Sequence, residues 1–406
     1  MPYDDRERAP RCDRERLRFK TLRDCVSDAK ARCPGWATRL NEVDPSELHS
    51  RDILSAVPIT RKSHLIADQD ASPPFAGLAR AGAGSFPRLF MSPGPICEPQ
   101  LSAADPWGAA RALYAAGLRS GDTLLNTFSY HLTPGGFMFD SGARENGCAV
   151  IPAGPGNTEQ QVQAIARYRP TAYGGTADFL NLLLQSFSQI NGAEFPIKRA
   201  ILSGAAVPQN LRARFNEAGI AVYELYGTAE LGVVAYETDA HEGFVVNEDL
   251  IVEILDPVSA KPVMDGEPGE VVVTRLARDY PLFRFATGDL SAVITEPSPC
   301  GRTNLRLRGW LGRADQTTKI KGMFVHPEQV IAVVARIPGA ARGRLVVTRR
   351  DDRDNMTLEI ETSQGSIDLE AATALLAAVT KLRGNVVVVG EGSVPQNGAI
   401  VDQRPA

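Results

Sequence analysis

The sequence predicts an α/β fold: a large N-terminal domain of α/β sheets plus a β subdomain, residues 1–312, followed by a small, mobile α+β C-terminal domain, residues 313–406. Three observations carry this expectation. From Ala103 onward helical and strand patterns alternate; past Glu230 short β-rich pieces stand between Gly and Pro turns; from about Ala314 a further set of strands and helices suffices for a second unit. With 406 residues and 43% hydrophobic content the chain exceeds one core, since single cores stop growing at roughly 250–300 residues.

Taken in order, the N-terminal segment alternates charged and apolar positions (Leu17, Leu22, Val26, Trp36, Leu40), as solvent-facing helices covering a larger body would, and the charge run from Arg6 to Arg18 reads as a solvated face. Trp107 to Ala116 reads as a helix, Asp122 to Phe128 and Ala149 to Ile151 as strands. Ala172-Tyr173 leads into a helix from Thr176 to Gln185, and Arg199 to Leu202 into one from Asn210 to Ala218. Leu250 to Ile254 and Glu270 to Val273 are β pieces of the subdomain. The C-terminal unit is read from Val325 to Ala335, Gly343 to Val347, Met356 to Glu361, Asp368 to Val379 and Asn385 to Val389.

The formal charge of -4 and pI near 5.9 leave no basic stripe for nucleic acid, so a small-molecule ligand is expected. Six cysteines without a Cys-x-x-Cys pair read as reduced thiols, and the mixed-charge start offers no signal-peptide core; no apolar run is long enough for a membrane span. A cytoplasmic protein is expected.

In open α/β sheets ligands sit beyond the carboxyl ends of the strands, which brings Gly174-Gly175-Thr176, Ser203-Gly204-Ala205 and Tyr226-Gly227-Thr228 to one crevice. Tyr226 to Glu230 combines an aromatic surface for a purine, unobstructed backbone donors and a carboxylate suited to Mg²⁺. Asp289, after Thr287-Gly288, can accept both hydroxyls of a ribose. Gly312 to Glu328 adds cations beside an expected hinge, where Arg313 reaches a ribose or phosphate.

These blocks, in this order and spacing, resemble the adenylate-forming superfamily and in detail the phenylacetate-CoA ligase family; further matches run from about Val57, among them Asn157-Thr158-Glu159, Asp256-Pro257 and Gly266 to Glu270. The resemblance implies ATP-dependent activation of an aryl or arylacetic acid through acyl-AMP to its CoA thioester, with ATP/AMP, Mg²⁺ and coenzyme A as cofactors. It places Glu230, Arg313 and Lys321 in catalysis and Glu230 on the metal. Ser203, Gly204, Ala205, Tyr226, Gly227, Thr228, Asp289 and Arg313 would hold the nucleotide, with Asp315 as hinge. Tyr130, His131, Gly135, Gly136, Gly174 and Gly175 would line the acid site. A homodimer is carried over by analogy.

Two departures stand against that pattern. Where the family's phosphate loop is rich in hydroxyls, glycines and a lysine, this chain has Ser92-Pro93-Gly94-Pro95-Ile96-Cys97-Glu98. A carboxylate ~5 Å from a phosphate is repelled by about 3 kcal/mol at an effective dielectric of ~20, so Glu98 either turns outward, works through a metal, or marks a site that handles triphosphate poorly. The family's C-terminal lysine is Ala399 here, leaving Lys319, Lys321 or Arg404 to supply the cation. The alternative reading is a catalytically impaired adenylate- or acyl-adenylate-binding paralogue with a regulatory or partial-reaction role. The zinc site of some relatives is not expected, because Thr238 and Val245 stand where its cysteine and histidine would be.

Overall fold

The computed structural model describes residues 2–404, apart from 93, 190–193, 258, 315–317, 322, 326, 351–352, 363–366, 391 and 395–399, with the backbone alone at 312, 313, 319, 324, 327 and 328. The chain packs as two compact units, Met1–Leu311 and Gly312–Ala406.

The first unit opens with the helix Arg11–Arg32, which buries Phe19, Leu22, Val26 and Ala29, spaced three or four apart so that one stripe faces inward. The charge run around it is not simply a solvated face. Glu7, Arg14 and Arg18 are buried. Glu7 accepts from Arg302 Nε at 3.0 Å and from the Tyr236 hydroxyl at 2.9 Å and pairs with Arg111 at 3.2 Å, while Arg14 meets Glu248 at 2.7 Å. The enclosed members of the run are each met by an opposite charge from elsewhere in the first unit, Glu7 by Arg302 and Arg111 and Arg14 by Glu248.

Strand β1 (Thr60–Arg61) is followed at once by the helix Lys62–Ala71; β2 (Leu89–Ser92) and β3 (Ile96–Pro99) form an isolated hairpin. Strands β4 (Thr123–Asn126), β5 (Ala149–Pro152), β6 (Ala172–Gly175), β7 (Arg199–Leu202) and β8 (Ala221–Thr228) are parallel, in spatial order 5-4-6-7-8. The helix Ala177–Ser188 follows β6 and the helix Gln209–Glu217 follows β7, each burying leucine and phenylalanine against the sheet. Such parallel strands need helical crossovers, which is why the alternation was readable.

The long strand β8 changes partners along its length. It pairs parallel with β7 in its first half and antiparallel with β9 (Gly232–Tyr236) in its second, with a register shift between Tyr226 and Gly227. β10 (Phe244–Val246) continues this sheet. A second sheet holds β11 (Leu250–Leu255), β12 (Gly269–Arg275) and β13 (Leu282–Ser291), with β1 parallel to β13; β14 (Val293–Ile294) and β15 (Arg306–Leu307) close the first sheet beside β10.

The second unit sets two helices, Pro327–Val334 and Leu369–Thr380, on a sheet built from Ala340–Arg350, Arg353–Thr362, Asn385–Val389 and Ile400–Asp402. Asp368 caps the second helix, accepting from the backbone N–H groups of Glu370 at 3.1 Å and Ala371 at 3.0 Å. Leu345, Val347, Leu358, Ile360 and Leu376 form its core. Among the described residues no helix is long and apolar enough to cross a membrane.

Candidate active site

The change of partners along β8 exposes the turn after β7 and the end of β8 at the carboxyl edge of the parallel sheet. Ser203 donates its hydroxyl to the Leu225 carbonyl at 2.8 Å, tying the two turns together. Gly204 has φ +89, a left-handed conformation that side chains resist, and Ala205 is exposed. At Gly227 an added Cβ would stand 2.7 Å from the Gly232 carbonyl oxygen, so glycine there is required by packing. Thr228 Oγ1 accepts from the Leu231 N–H at 3.2 Å.

The tyrosine and the aspartate meet directly. The Tyr226 hydroxyl lies 2.9 Å from Asp289 Oδ2 and 3.2 Å from Thr287 Oγ1, and Thr287 in turn donates to the Val271 carbonyl. The other Asp289 oxygen accepts from Trp310 Nε1 at 3.0 Å. Tyr226, Phe244, Asp289, Leu307 and Trp310 line one cleft. An aromatic ring beside a two-oxygen acceptor has the chemistry to stack a purine and accept from sugar hydroxyls, although the cavity they line measures only about 10 Å³ and both Asp289 oxygens are engaged by protein donors.

Two residues past the end of β8, Glu230 is buried and its Oε1 pairs with Lys62 Nζ at 2.6 Å. Glu98 does not turn outward: β3 points it into the protein, where it is as buried as Glu230 and accepts from the Ser92 hydroxyl at 2.9 Å. Burial and then the Glu230 charge push the Glu98 carboxyl up to about 8, against Lys62 and the Ser92 hydrogen bond. Burial also opposes charge on Glu230, yet the Lys62 ammonium brings it below its ordinary value. The two carboxyls are thus pushed in opposite directions. Mg²⁺ retains several waters and demands near-octahedral oxygens, and an enclosed carboxylate capped by an ammonium does not offer them. The expected placing of Mg²⁺ on Glu230 does not fit these residues.

The expected acid-site residues divide. Tyr130 accepts from Asn126 at 2.7 Å and its ring packs on Phe137 at 5.0 Å, while Gly136 lets that ring approach, an added Cβ meeting it at 2.8 Å. Gly174 and Gly175 are buried against Phe139 and against Thr127 and Tyr173, and Gly135 faces Phe128. His131 is exposed, and it is its backbone N–H that bonds to Ser129. In the second unit Lys321 has φ +48, and its ammonium stands 3.5 Å from the Arg383 carbonyl; Arg404 pairs with Asp354 at 3.0 Å. Asp315 and Ala399 lie outside the described residues, as does the Arg313 side chain.

Cys300 sits 3.0 Å from the Ser298 hydroxyl; burial opposes its ionisation, but hydrogen bonds from Ser298, Arg302 and Thr238 bring the thiol down to about 7. No group of three or more metal-ligating His, Cys, Asp or Glu residues forms among the described residues. Lys62, Arg275 and Trp310 were missed by sequence reasoning. Trp310, two residues before the Gly312 block, carried a usable signal by position; Lys62 and Arg275 carried none.

The class is that of the adenylate-forming enzymes: the sequence profile of the AMP-binding enzyme family matches residues 107–277. The phenylacetate-coenzyme A ligase of Thermus thermophilus is 30% identical over 376 residues, covering 88% of this chain and 83% of the relative. That of Aromatoleum evansii is 28% identical, covering 87% and 83%. The chain belongs to the phenylacetate-CoA ligase family. Among solved structures, 2-hydroxyisobutyryl-CoA ligase with its acyl-AMP aligns at TM-score 0.72 and 26% identity, over 99% of this chain and 94% of that one. The same ligase with acyl-AMP and CoA aligns at TM-score 0.86 and 24% identity, over 98% and 92%, a likeness of fold.

Proposed function

We propose that the chain is an AMP-forming acid–CoA ligase that joins an aryl or arylacetic acid to the α-phosphate of ATP, releasing pyrophosphate, and then passes the acyl group from AMP to the CoA thiol. The observation that carries the reading is the direct meeting of Tyr226 and Asp289 beside Thr287, on a chain whose relatives over most of its length are named phenylacetate-CoA ligases. Tyr226, Thr228 and Asp289 orient the nucleotide with the turn Ser203 to Ala205, so catalysis rests on positioning. Large unit and small unit act as the AMP-binding and C-terminal domains, with Asp315 as hinge and Arg313 and Lys321 supplying cations to the nucleotide. The protein works in the cytoplasm.

Exchange of labelled pyrophosphate into ATP across a panel of aromatic acids tests this. Exchange with at least one acid is expected, falling by roughly 100-fold in Asp289→Ala, the scale of losing two hydrogen bonds to a charged acceptor. Absence of exchange with every acid, alongside measurable AMP binding, would sink the ligase reading.

A further inference from the structure

The carboxylate expected to hold a divalent cation already has one cation built beside it. Lys62 is the first residue of the helix Lys62–Ala71, and its position is set from both ends. Upstream, β1 is locked in register with β13, Thr60 opposite Phe285 and Arg61 opposite Ala286. Downstream, Leu65 is buried and the Gln69 amide clamps the backbone of Cys97, donating to its carbonyl at 2.9 Å and accepting from its N–H at 2.8 Å. The helix that presents Lys62 to Glu230 therefore also holds β3, and with it Glu98, against the same place.

Arg275 completes the group from β12. It is buried, its Nη2 donates to the Tyr280 carbonyl at 3.0 Å, and its charge acts on Glu98. Glu98 Oε2 and Arg275 Nε are both enclosed without a hydrogen-bond partner. Lys62 thus pairs with Glu230, and the charges of Glu230, Lys62 and Arg275 all act on the buried Glu98. A divalent ion added to this group would meet the Lys62 ammonium and the field of Arg275, and among the described residues no group of three or more acidic, His or Cys side chains gathers to offset them.

We infer that Lys62 is the resident counter-cation of Glu230, a positioning residue that holds the place a divalent metal would otherwise take, so that Glu230 is not a metal ligand in this chain. Any Mg²⁺ used by the enzyme then arrives on the nucleotide phosphates and is not held through Glu230. The inference leans on the ligase reading only in setting Glu230 on the phosphate side of the nucleotide site.

Mn²⁺ titration of the whole protein followed by electron paramagnetic resonance, without nucleotide or acid, tests it independently of turnover. Wild type is expected to leave the free Mn²⁺ signal unchanged, Lys62→Met to take up one ion at least tenfold more tightly than wild type, and Lys62→Met with Glu230→Gln to lose it. Uptake by wild type that Glu230→Gln abolishes overturns the inference, as does a folded Lys62→Met that takes up none. Should Lys62→Met fail to fold, wild type against Glu230→Gln decides: equal Mn²⁺ uptake in the two supports the inference, and a loss in the variant overturns it.

Discussion

Asp289 offers two oxygens, and both are engaged, one by the Tyr226 hydroxyl and the other by the indole of Trp310. A ribose that binds here must share or displace the indole. Removing one competing neutral donor is worth about 1 kcal/mol, so Trp310→Phe should tighten AMP binding by about fivefold in calorimetry. Trp36 and Trp107 are buried while Trp310 is half exposed, so AMP should change wild-type tryptophan emission and leave that of Trp310→Phe unaltered. Weaker binding in the variant would mean that the indole steadies Asp289 instead of competing for it. Tyr226, Thr287 and Asp289 were legible in the sequence because each motif carries its own local chemistry, an aromatic, a hydroxyl or a carboxylate beside a glycine. Their contact with one another follows from which strands neighbour which, and Lys62 was invisible for the same reason: its partner is chosen by the fold.

At the scale of elements, the alternation of helix and strand was readable over the parallel region because each crossover repeats one pattern, a short apolar strand and then an amphipathic helix. The N-terminal segment shows where such reading fails. Its charges have the spacing of a solvated helix, yet Glu7 is enclosed by Arg302, Arg111 and Tyr236. Periodicity reports which positions are polar, not whether the surface they meet is water or an array of opposite charges. Glu7→Ala leaves Arg302 without that buried anion and should lower stability by about 3–5 kcal/mol, the usual result of breaking an enclosed pair from one side. Urea denaturation measures it. A loss under about 1 kcal/mol would show instead that the run behaves as the solvated face its pattern resembles.

Each unit of the molecule has a core of its own. Ile320, Val330, Leu345, Leu358, Leu376 and Ile400 pack together in the second, while the clusters of the first are drawn from residues up to Leu307. A unit with its own core can fold alone. Of the groups assigned to the nucleotide, Ser203, Tyr226, Thr228 and Asp289 fall in the first unit and Arg313 alone of those named for the ribose in the second. Residues 1–311 expressed by themselves should therefore unfold cooperatively and bind AMP with a Kd within about tenfold of the full chain, a difference of at most ~1.4 kcal/mol. The same fragment should form no thioester, since Arg313 and Lys321, the cations proposed to serve the nucleotide, lie beyond Leu311. Circular dichroism and calorimetric titration with AMP decide the matter. A fragment that folds but binds no AMP would place an essential nucleotide contact in the second unit, and would move the centre of the site from Asp289 toward Arg313.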